Sequence, residues 1–363
     1  MLFQDISVAS RSRPGFARSL SRDAATGSAS LRAPAVPSDR IQVIRGLAAL
    51  LLVGFHAIFT DMDTAVNTAG LRPMVFVSHL FDYIRMPLFG FVAGYVYAFK
   101  PVRRDGYQQF AARKITRLLV PCVIATTLMF ALQLLSGRLP AGMHLQDAWR
   151  IYVYPTYQFW FIQALLVDFA LIAALEAVGA LNTVPRLALV LVAAIVALVW
   201  LPSPPTSLFS IPQAGYLLPF FLLGLAMNRF RAELMTSTVA SASLVLFFAA
   251  LAIHGTSLAL DPAYLRDRGS LLSVAVGCSA GICAICWMPR LALLRVLGGY
   301  SFAIYLYHYL FIDVAAAACK RADFRSALPL AVVLLSVGIV GPLILHHAVC
   351  GNRLLRSAML GMR

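Results

Sequence analysis

The stretch IQVIRGLAALLLVGFH, at residues 41–56, is typical of a helix that crosses a membrane, yet it carries Arg45 near its start and His56 at its end. In hydrocarbon each of these side chains costs free energy unless another group compensates it. Their separation of eleven residues is close to three helical turns, so both fall on one face, about 16 Å apart along the axis. The stretch therefore predicts a membrane helix with one polar face, with Arg45 near the cytoplasmic interface and His56 deeper in the bilayer.

The composition of the whole chain also indicates an integral membrane protein. Of its 363 residues, 60% are hydrophobic and only 12% are charged, whereas soluble domains are about a quarter charged. The formal net charge of +15 does not indicate a nucleic-acid partner, because the basic residues lie between apolar segments and form no single face. We interpret them as topology signals and as contacts to anionic membrane lipids.

Ten apolar segments that are long enough to span a bilayer follow one another along the chain. They lie near 41–60, 75–99, 115–135, 157–180, 184–201, 213–228, 238–258, 270–288, 298–319 and 328–350. We therefore predict an all-α fold, a polytopic membrane helix bundle of about ten transmembrane helices. A disordered basic cytoplasmic tail at 1–40 and a short basic cytoplasmic tail at 351–363 would flank a transmembrane domain at 41–350.

The charges between the segments predict the orientation. If the first tail is cytoplasmic, most of the 30 lysines and arginines fall in cytoplasmic loops. Acidic residues lean toward the outer loops, namely Asp61, Asp63, Asp147, Asp261, Asp267 and Asp323. This bias fits an even number of spans with both termini in the cytoplasm.

Polar residues also interrupt the later apolar segments. A charged side chain that faces lipid at the bilayer centre costs about 2.5 kcal/mol or more. Polar groups on four segments therefore predict a hydrated or substrate-filled cavity between helices, although a bundle held together by polar pairs alone is the alternative. Besides the first segment, these groups are Arg85 in the second, Gln163 and Asp168 in the fourth, and Ser301, Tyr305 and His308 in the ninth.

A basic cluster opens the third segment. The stretch RKITRLLVP places Arg113, Lys114 and Arg117 at its start. Such a cluster is common in a cytoplasmic loop, and it also suits a phosphate-rich cytosolic ligand such as a coenzyme A nucleotide. No metal site is predicted, because the CxxC of Cys283 and Cys286 lies inside an apolar run without polar neighbours.

Five motifs, taken in order, resemble the acyltransferase family 3 of membrane proteins, which O-acylate bacterial cell-surface sugars. The motifs are IQVIRGLAALLLVGFH (41–56), RMPLFGFVAGY (85–95), RKITRLLVP (113–121), QFWFIQALL (158–166) and GGYSFAIYLYHYLF (298–311). The resemblance covers roughly residues 41–350. The chain departs from the family pattern at Gly90 and Ala93, where phenylalanine and serine are usual, and at Lys114, where an arginine is usual.

The resemblance implies a multi-pass O-acyltransferase of the bacterial inner (cytoplasmic) membrane, in the class that transfers groups other than aminoacyl groups. It would move an acyl group, by default acetyl, from cytosolic acyl-CoA to a sugar hydroxyl of an exopolysaccharide, O-antigen or related glycan. Acyl-CoA would be a co-substrate and not a bound cofactor. The other implied partners are a polysaccharide or lipid-linked sugar acceptor and membrane lipids.

The resemblance also implies roles for residues of this chain. Arg45, His56 and His308 would be catalytic, with His56 acting as a general base or as a transient carrier of the acyl group. Acyl-CoA would bind at the basic cluster of Arg113, Lys114 and Arg117. Residues expected to line the cavity or to meet the acceptor are Arg85, Trp160, Gln163, Asp168, Ser301 and Tyr305.

Two other functions stay open at this point. A proton-coupled transporter or flippase of lipid-linked sugars could use the histidines, Asp168 and Arg45 as a relay and gate. Inverted repeats would favour a transporter, and the sequence shows no clear repeat. A non-catalytic membrane subunit of a polysaccharide synthase is the other alternative, and it would tolerate the loss of His56. We expect the acyltransferase.

Overall fold

The computed structural model describes residues 38–59, 72–103, 105–139, 143–202, 207–261, 268–324 and 326–362. Within these ranges the chain is mainly helical and contains no β-strand, which confirms the predicted all-α fold. Most of the predicted tail at 1–40 lies outside them. The α-helices, in chain order, are α1 (Ser38–Phe59), α2 (Arg72–Leu80), α3 (Asp82–Tyr97), α4 (Tyr107–Lys114), α5 (Val120–Leu135), α6 (Arg150–Val153), α7 (Trp160–Ala177), α8 (Val184–Trp200), α9 (Ile211–Arg229), α10 (Arg231–Leu234), α11 (Ser237–Leu260), α12 (Leu271–Trp287), α13 (Ala292–Arg321), α14 (Ala327–Cys350) and α15 (Arg353–Leu360).

Eight stretches of the described chain are long and apolar enough to cross a membrane. They are Asp39–Phe59, Arg72–Tyr97, Tyr107–Leu135, Leu145–Ala177, Leu208–Arg229, Ser237–Leu260, Ala292–Arg321 and Ala327–Cys350. The apolar helices α8 and α12 have 17 residues each, which is the lower end of the spanning range. These ten elements coincide with the ten predicted segments, so the protein is a multi-pass membrane protein. The side on which the termini lie stays a prediction.

Three details of the helices differ from the sequence pattern. The second predicted segment is divided at Phe81 into α2 and α3. A single π-helical turn, Ile115–Leu119, joins α4 to α5, and such turns are frequent at functional sites. The region predicted as the second tail contains the helix α15.

The helices α1 and α13 approach each other so closely that their backbones touch. A Cβ atom on Gly298 would lie 1.8 Å from the carbonyl oxygen of Gln42, and one on Gly46 would lie 1.9 Å from the carbonyl oxygen of Leu294. Small residues at a membrane helix interface permit this approach. The glycines therefore set the spacing between the helix of Arg45 and His56 and the helix of Ser301 and His308.

The same two helices run parallel. Gln42 meets Gly298 near the start of α1. His56 meets His308 near the end of α1. The residue numbers in contact thus increase together along both helices. This is expected if the first and ninth predicted spans cross the membrane in the same direction.

The helices α3 and α9 are joined by a second close contact. A Cβ atom on Gly94 would lie 1.9 Å from the carbonyl oxygen of Phe221, and one on Gly224 would lie 1.9 Å from the carbonyl oxygen of Phe91. Gly94 belongs to the motif RMPLFGFVAGY. Part of that motif is therefore explained by packing, because no larger residue fits where these backbones cross.

Candidate functional site

One part of the site is the guanidinium group of Arg45, which is buried between α1 and α13 with 1% of the residue exposed. Its Nη2 donates to the hydroxyl of Ser301 (2.7 Å), and its Nη1 donates to Oε1 of Gln42 (3.1 Å). A buried guanidinium needs acceptors of this kind, because burial removes the hydrogen bonds it makes with water. The structure thus brings together Arg45 and Ser301, which the sequence places 256 residues apart.

The two predicted catalytic histidines meet further along the same pair of helices. The ring centroids of His56 and His308 lie 5.1 Å apart, with the rings tilted by 48°. His56 is partly exposed and His308 is fully buried. The ring of Tyr309 packs edge-on against His56 at 5.0 Å between centroids.

The hydrogen bonds of His308 fix its tautomer. Its Nδ1 lies 2.7 Å from the carbonyl oxygen of Ile304 and 3.0 Å from that of Tyr305. A carbonyl oxygen can only accept, so Nδ1 carries the proton and Nε2 of the neutral ring is left as the acceptor. Within the described residues this buried Nε2 has no hydrogen-bond partner. His308 therefore offers an acceptor beside the ring of His56.

A narrow cavity opens beside Arg45. Apart from Arg45 its walls are apolar, and Ala93 occupies the position where the family pattern usually has serine, which leaves that wall without a hydroxyl. The lining residues are Arg45, Phe89, Val92, Ala93, Val96, Phe161 and Leu165. The cavity thus places one cation against otherwise apolar walls.

The predicted donor-binding cluster lies close to this cavity along α7. Lys114 is buried, and its Nζ stands 3.3 Å from the ring centroid of Phe169 and 5.0 Å from that of Phe110. Cation–π contacts compensate part of the desolvation of such an ammonium group. Phe169 follows the cavity-lining Leu165 by about one helical turn. Arg113 and Arg117 are partly buried.

On the other side of the histidines, a polar cluster surrounds Arg85. Its guanidinium pairs with Asp82 and donates to the carbonyl oxygen of Ser78 (3.1 Å). It also lies 3.9 Å from the ring centroid of Phe55, the residue before His56. Arg268 approaches the same Asp82 carboxylate at 3.9 Å. Among the described residues, the cluster therefore holds two arginines and one aspartate.

The other cavity residues predicted from the sequence make mainly structural contacts. The amide of Gln163 donates to the carbonyl oxygen of Tyr152 (3.1 Å) and accepts from the hydroxyl of Ser210 (2.6 Å). The hydroxyl of Tyr305 donates to the backbone carbonyl of Gln158. These groups tie neighbouring segments together, so their predicted roles toward substrate stay predictions.

Trp160 and Asp168 occupy opposite ends of the α7 face that lines the cavity. Trp160 is partly buried and packs edge-on against the cavity-lining Phe161, at 6.2 Å between centroids. Asp168 has 1% of its surface exposed, and neither carboxylate oxygen has a hydrogen-bond partner within the described chain. Burial of a carboxyl group without partners is costly, which marks Asp168 as the most unusual polar residue of this helix.

Sequence reasoning missed two tyrosines, one in contact with His56 and the other next to that tyrosine. Tyr309 contacts His56, and its position next to His308 in the sequence was an available signal. Tyr157 lies 6.4 Å from Tyr309 between ring centroids and has a left-handed backbone, with φ of 49°. Backbone strain of this kind clusters at functional sites, but no sequence pattern signals it for a tyrosine.

Metal ligands do not gather in the described part of the chain, where no group of three or more His, Cys, Asp or Glu residues could hold an ion. The cysteines of the CxxC are free thiols. The thiol of Cys283 lies 3.6 Å from the hydroxyl of Ser243, where α12 packs on α11. This contact agrees with a packing role for Cys283.

Comparison with known proteins gives one match. A family model of acyltransferase family 3, described as an acyltransferase domain, matches residues 38–347. The matched range contains all five motifs and every predicted site residue, and it ends before α15. Neither the functionally curated proteins nor the solved structures contain a match to this chain.

Proposed function

Because the chain belongs to acyltransferase family 3, we propose that it moves an acyl group, by default acetyl, from cytosolic acyl-CoA to a sugar hydroxyl at the outer side of the bacterial inner membrane. The acceptor is an exopolysaccharide, an O-antigen or a related glycan. The observation that carries this proposal is the meeting of His56 and His308 between α1 and α13. The Arg45 cavity lies toward one end of this pair of helices and the Arg85 cluster toward the other.

The basic cluster provides the donor site of this proposal. The phosphates of acyl-CoA bind Arg113, Lys114 and Arg117, because clustered cations on the cytoplasmic side attract polyanionic ligands. The acylated arm then extends past Arg45 toward His56 and parts the apolar side chains that line the cavity. The short distance along α7 from Phe169, which contacts Lys114, to Leu165, which lines the cavity, supports this path.

The two histidines provide the proton transfer. His56 accepts the proton of the sugar hydroxyl while the hydroxyl oxygen attacks the thioester carbonyl. The carbon–sulfur bond then breaks, the ester bond remains, and the departing thiolate takes the proton from His56. His308 orients the ring of His56, since its own ring is fixed by two backbone carbonyls. Transfer through an acylated His56 is the other route, and mass spectrometry of the trapped protein distinguishes the two.

The acceptor site of this proposal is the cluster of Arg85, Asp82 and Arg268. The cluster adjoins the turn of α1 that carries His56, because Arg85 stacks on Phe55. Its polar groups can bind sugar hydroxyls, and the two arginines among its described residues favour acceptors with an acidic group. An acceptor held there places a hydroxyl next to His56.

The proposal is tested by the proton NMR spectrum of purified surface polysaccharide from a strain with the native protein and from a His56→Ala strain at matched membrane levels. A His347→Ala strain is the control, because His347 is an exposed histidine that lies away from His56 and shares a hydrogen bond with Tyr300. We expect an O-acyl signal that vanishes with His56→Ala and persists with His347→Ala. Unchanged acylation with less polysaccharide at the surface would instead indicate a transporter.

A further inference from the structure

The helix α15 (Arg353–Leu360) lies beyond the family match, which ends at residue 347. The side chain of Asn352 caps its start by accepting from the backbone N–H groups of Leu354 (2.9 Å) and Leu355 (3.2 Å). Gly361 ends it in the left-handed conformation, with φ of 64°. The helix is therefore a well-terminated element, although the sequence pattern predicted only a basic tail there.

The buried end of α15 rests against the segment that carries Arg117. A Cβ atom on Gly361 would lie 2.5 Å from the carbonyl oxygen of Arg117 and 2.8 Å from its Cα. Leu360 is buried with 4% exposed. The contact is thus backbone against backbone, and no residue larger than glycine fits without moving the Arg117 turn.

A second contact joins α15 to the helix of His308. The hydroxyl of Tyr307 donates to the carbonyl oxygen of Met359 (3.0 Å). Tyr307 is buried and directly precedes His308 in α13. The segment of α15 and Gly361 therefore touches both the turn that holds Arg117 and the helix that holds a predicted catalytic residue.

We propose that α15 is a brace that positions Arg117 for binding the phosphates of acyl-CoA, with Gly361 and Tyr307 as its positioning residues. Arg117 lies within the π-helical turn Ile115–Leu119. An isolated π turn is a rare interruption of an α-helix, and the contact with Gly361 fixes the position of its backbone at Arg117. This inference rests on the proposed donor site.

The alternative is that α15 only anchors the chain end at the membrane surface. Leu354 and Leu355 are 80% and 46% exposed, and Arg353 and Arg356 are basic, a pattern that suits a lipid interface. A surface anchor has no need for the contact at Gly361. Substitution of Gly361 therefore separates the two roles.

The test measures the binding of coenzyme A to the purified full-length protein in detergent, by calorimetry, together with KM and kcat for acyl transfer. The variants are Gly361→Ala, which introduces the clash with Arg117, and Tyr307→Phe, which removes only the hydrogen bond to Met359. The control is Gly351→Ala, because a Cβ atom on Gly351 meets nothing within 4 Å. Melting temperatures verify that each variant is folded.

We expect Gly361→Ala to weaken coenzyme A binding and to raise the donor KM by about tenfold or more, since displacements of about 1 Å at a binding site have effects of that order. Tyr307→Phe should have a smaller effect in the same direction. Gly351→Ala should bind as the native protein does, and kcat should change little in any variant. If Gly361→Ala does not fold, Tyr307→Phe decides the question.

Arg117→Gln distinguishes the failure of this inference from failure of the proposed function. If the native protein binds no coenzyme A, or if Arg117→Gln binds it with unchanged affinity, the proposed donor site is wrong. The proposed role of α15 as a brace is then wrong as well. If Arg117→Gln weakens binding while Gly361→Ala and Tyr307→Phe do not, the donor site stands and the brace is refuted.

Discussion

The substitution Gly298→Ala should separate α1 from α13 and so disrupt the proposed catalytic site from a distance. A Cβ atom at this position would lie 1.8 Å from the Gln42 carbonyl oxygen, whereas real Cβ contacts essentially never fall under 3.0 Å, so the backbones must move apart by about 1.2 Å. A displacement of that size stretches the 2.7 Å hydrogen bond between Arg45 and Ser301 beyond the usual range. It also withdraws His308 from His56.

The expected losses of stability and of rate follow from two effects of this substitution, overpacking of the interface and displacement of the reacting groups. Overpacking of a close interface costs about 1–3 kcal/mol of stability. Misplacement of reacting groups by about 1 Å costs up to about a hundredfold in rate. Gly298→Ala should therefore lower the melting temperature of the detergent-purified protein and reduce kcat for acyl transfer more than it alters the KM for either substrate.

The neighbouring glycine supplies the control. A Cβ atom on Gly299 meets nothing within 4 Å, and alanine is favoured over glycine inside a helix by about 0.5–1 kcal/mol. Gly299→Ala should thus leave the rate unchanged and keep or slightly raise the melting temperature. Equal melting temperatures and rates for Gly298→Ala and Gly299→Ala would refute the argument that backbone contact sets the spacing of the site.

Three further predictions concern single polar groups. Ser301→Ala removes a hydrogen-bond acceptor from the buried guanidinium of Arg45, at a cost of about 1.5–3 kcal/mol. It should lower both the melting temperature and the transfer rate. An unchanged rate would show that this hydrogen bond does not orient Arg45 for the reaction. Asp168→Asn should have the melting temperature of the native protein, because neither carboxylate oxygen of Asp168 accepts a hydrogen bond in the described chain. Loss of activity in this folded variant would assign the carboxyl group a chemical role. Arg138→Gln breaks a two-pronged pair with Asp313. The arginine side chain is 38% exposed but the aspartate side chain is only 10% exposed, so the loss of its partner should cost about 3 kcal/mol without slowing transfer. A loss under about 1 kcal/mol would show that water reaches the carboxylate.

The membrane spans could be predicted from the sequence because they depend on local properties. A run of about twenty apolar residues indicates a span wherever it occurs, and the spacing of Arg45 and His56 places them on one face whatever surrounds the helix. The resemblance of motifs then added the expected roles of His308 and the basic cluster. All ten predicted segments coincide with helices of the described chain.

The pairing of the helices could not be predicted in this way. The contact of Arg45 with Ser301 joins residues 256 positions apart, and it depends on Gly46 and Gly298, which look like ordinary small residues in the sequence. The tautomer of His308 depends on backbone carbonyls, and the brace formed by α15 depends on the conformation of Gly361. These features arise from tertiary contacts that no local pattern contains.

The most direct test of the central claim follows a labelled acyl group across the membrane. Acetyl-CoA labelled in its acetyl group is supplied to the cytoplasmic face of sealed inverted vesicles, which contain the protein and an acceptor glycan on their inner side. The account predicts label in the enclosed glycan with the native protein, none with His56→Ala, and free coenzyme A remaining outside. Transport of the glycan without any label, or labelling that persists in His56→Ala, would contradict it.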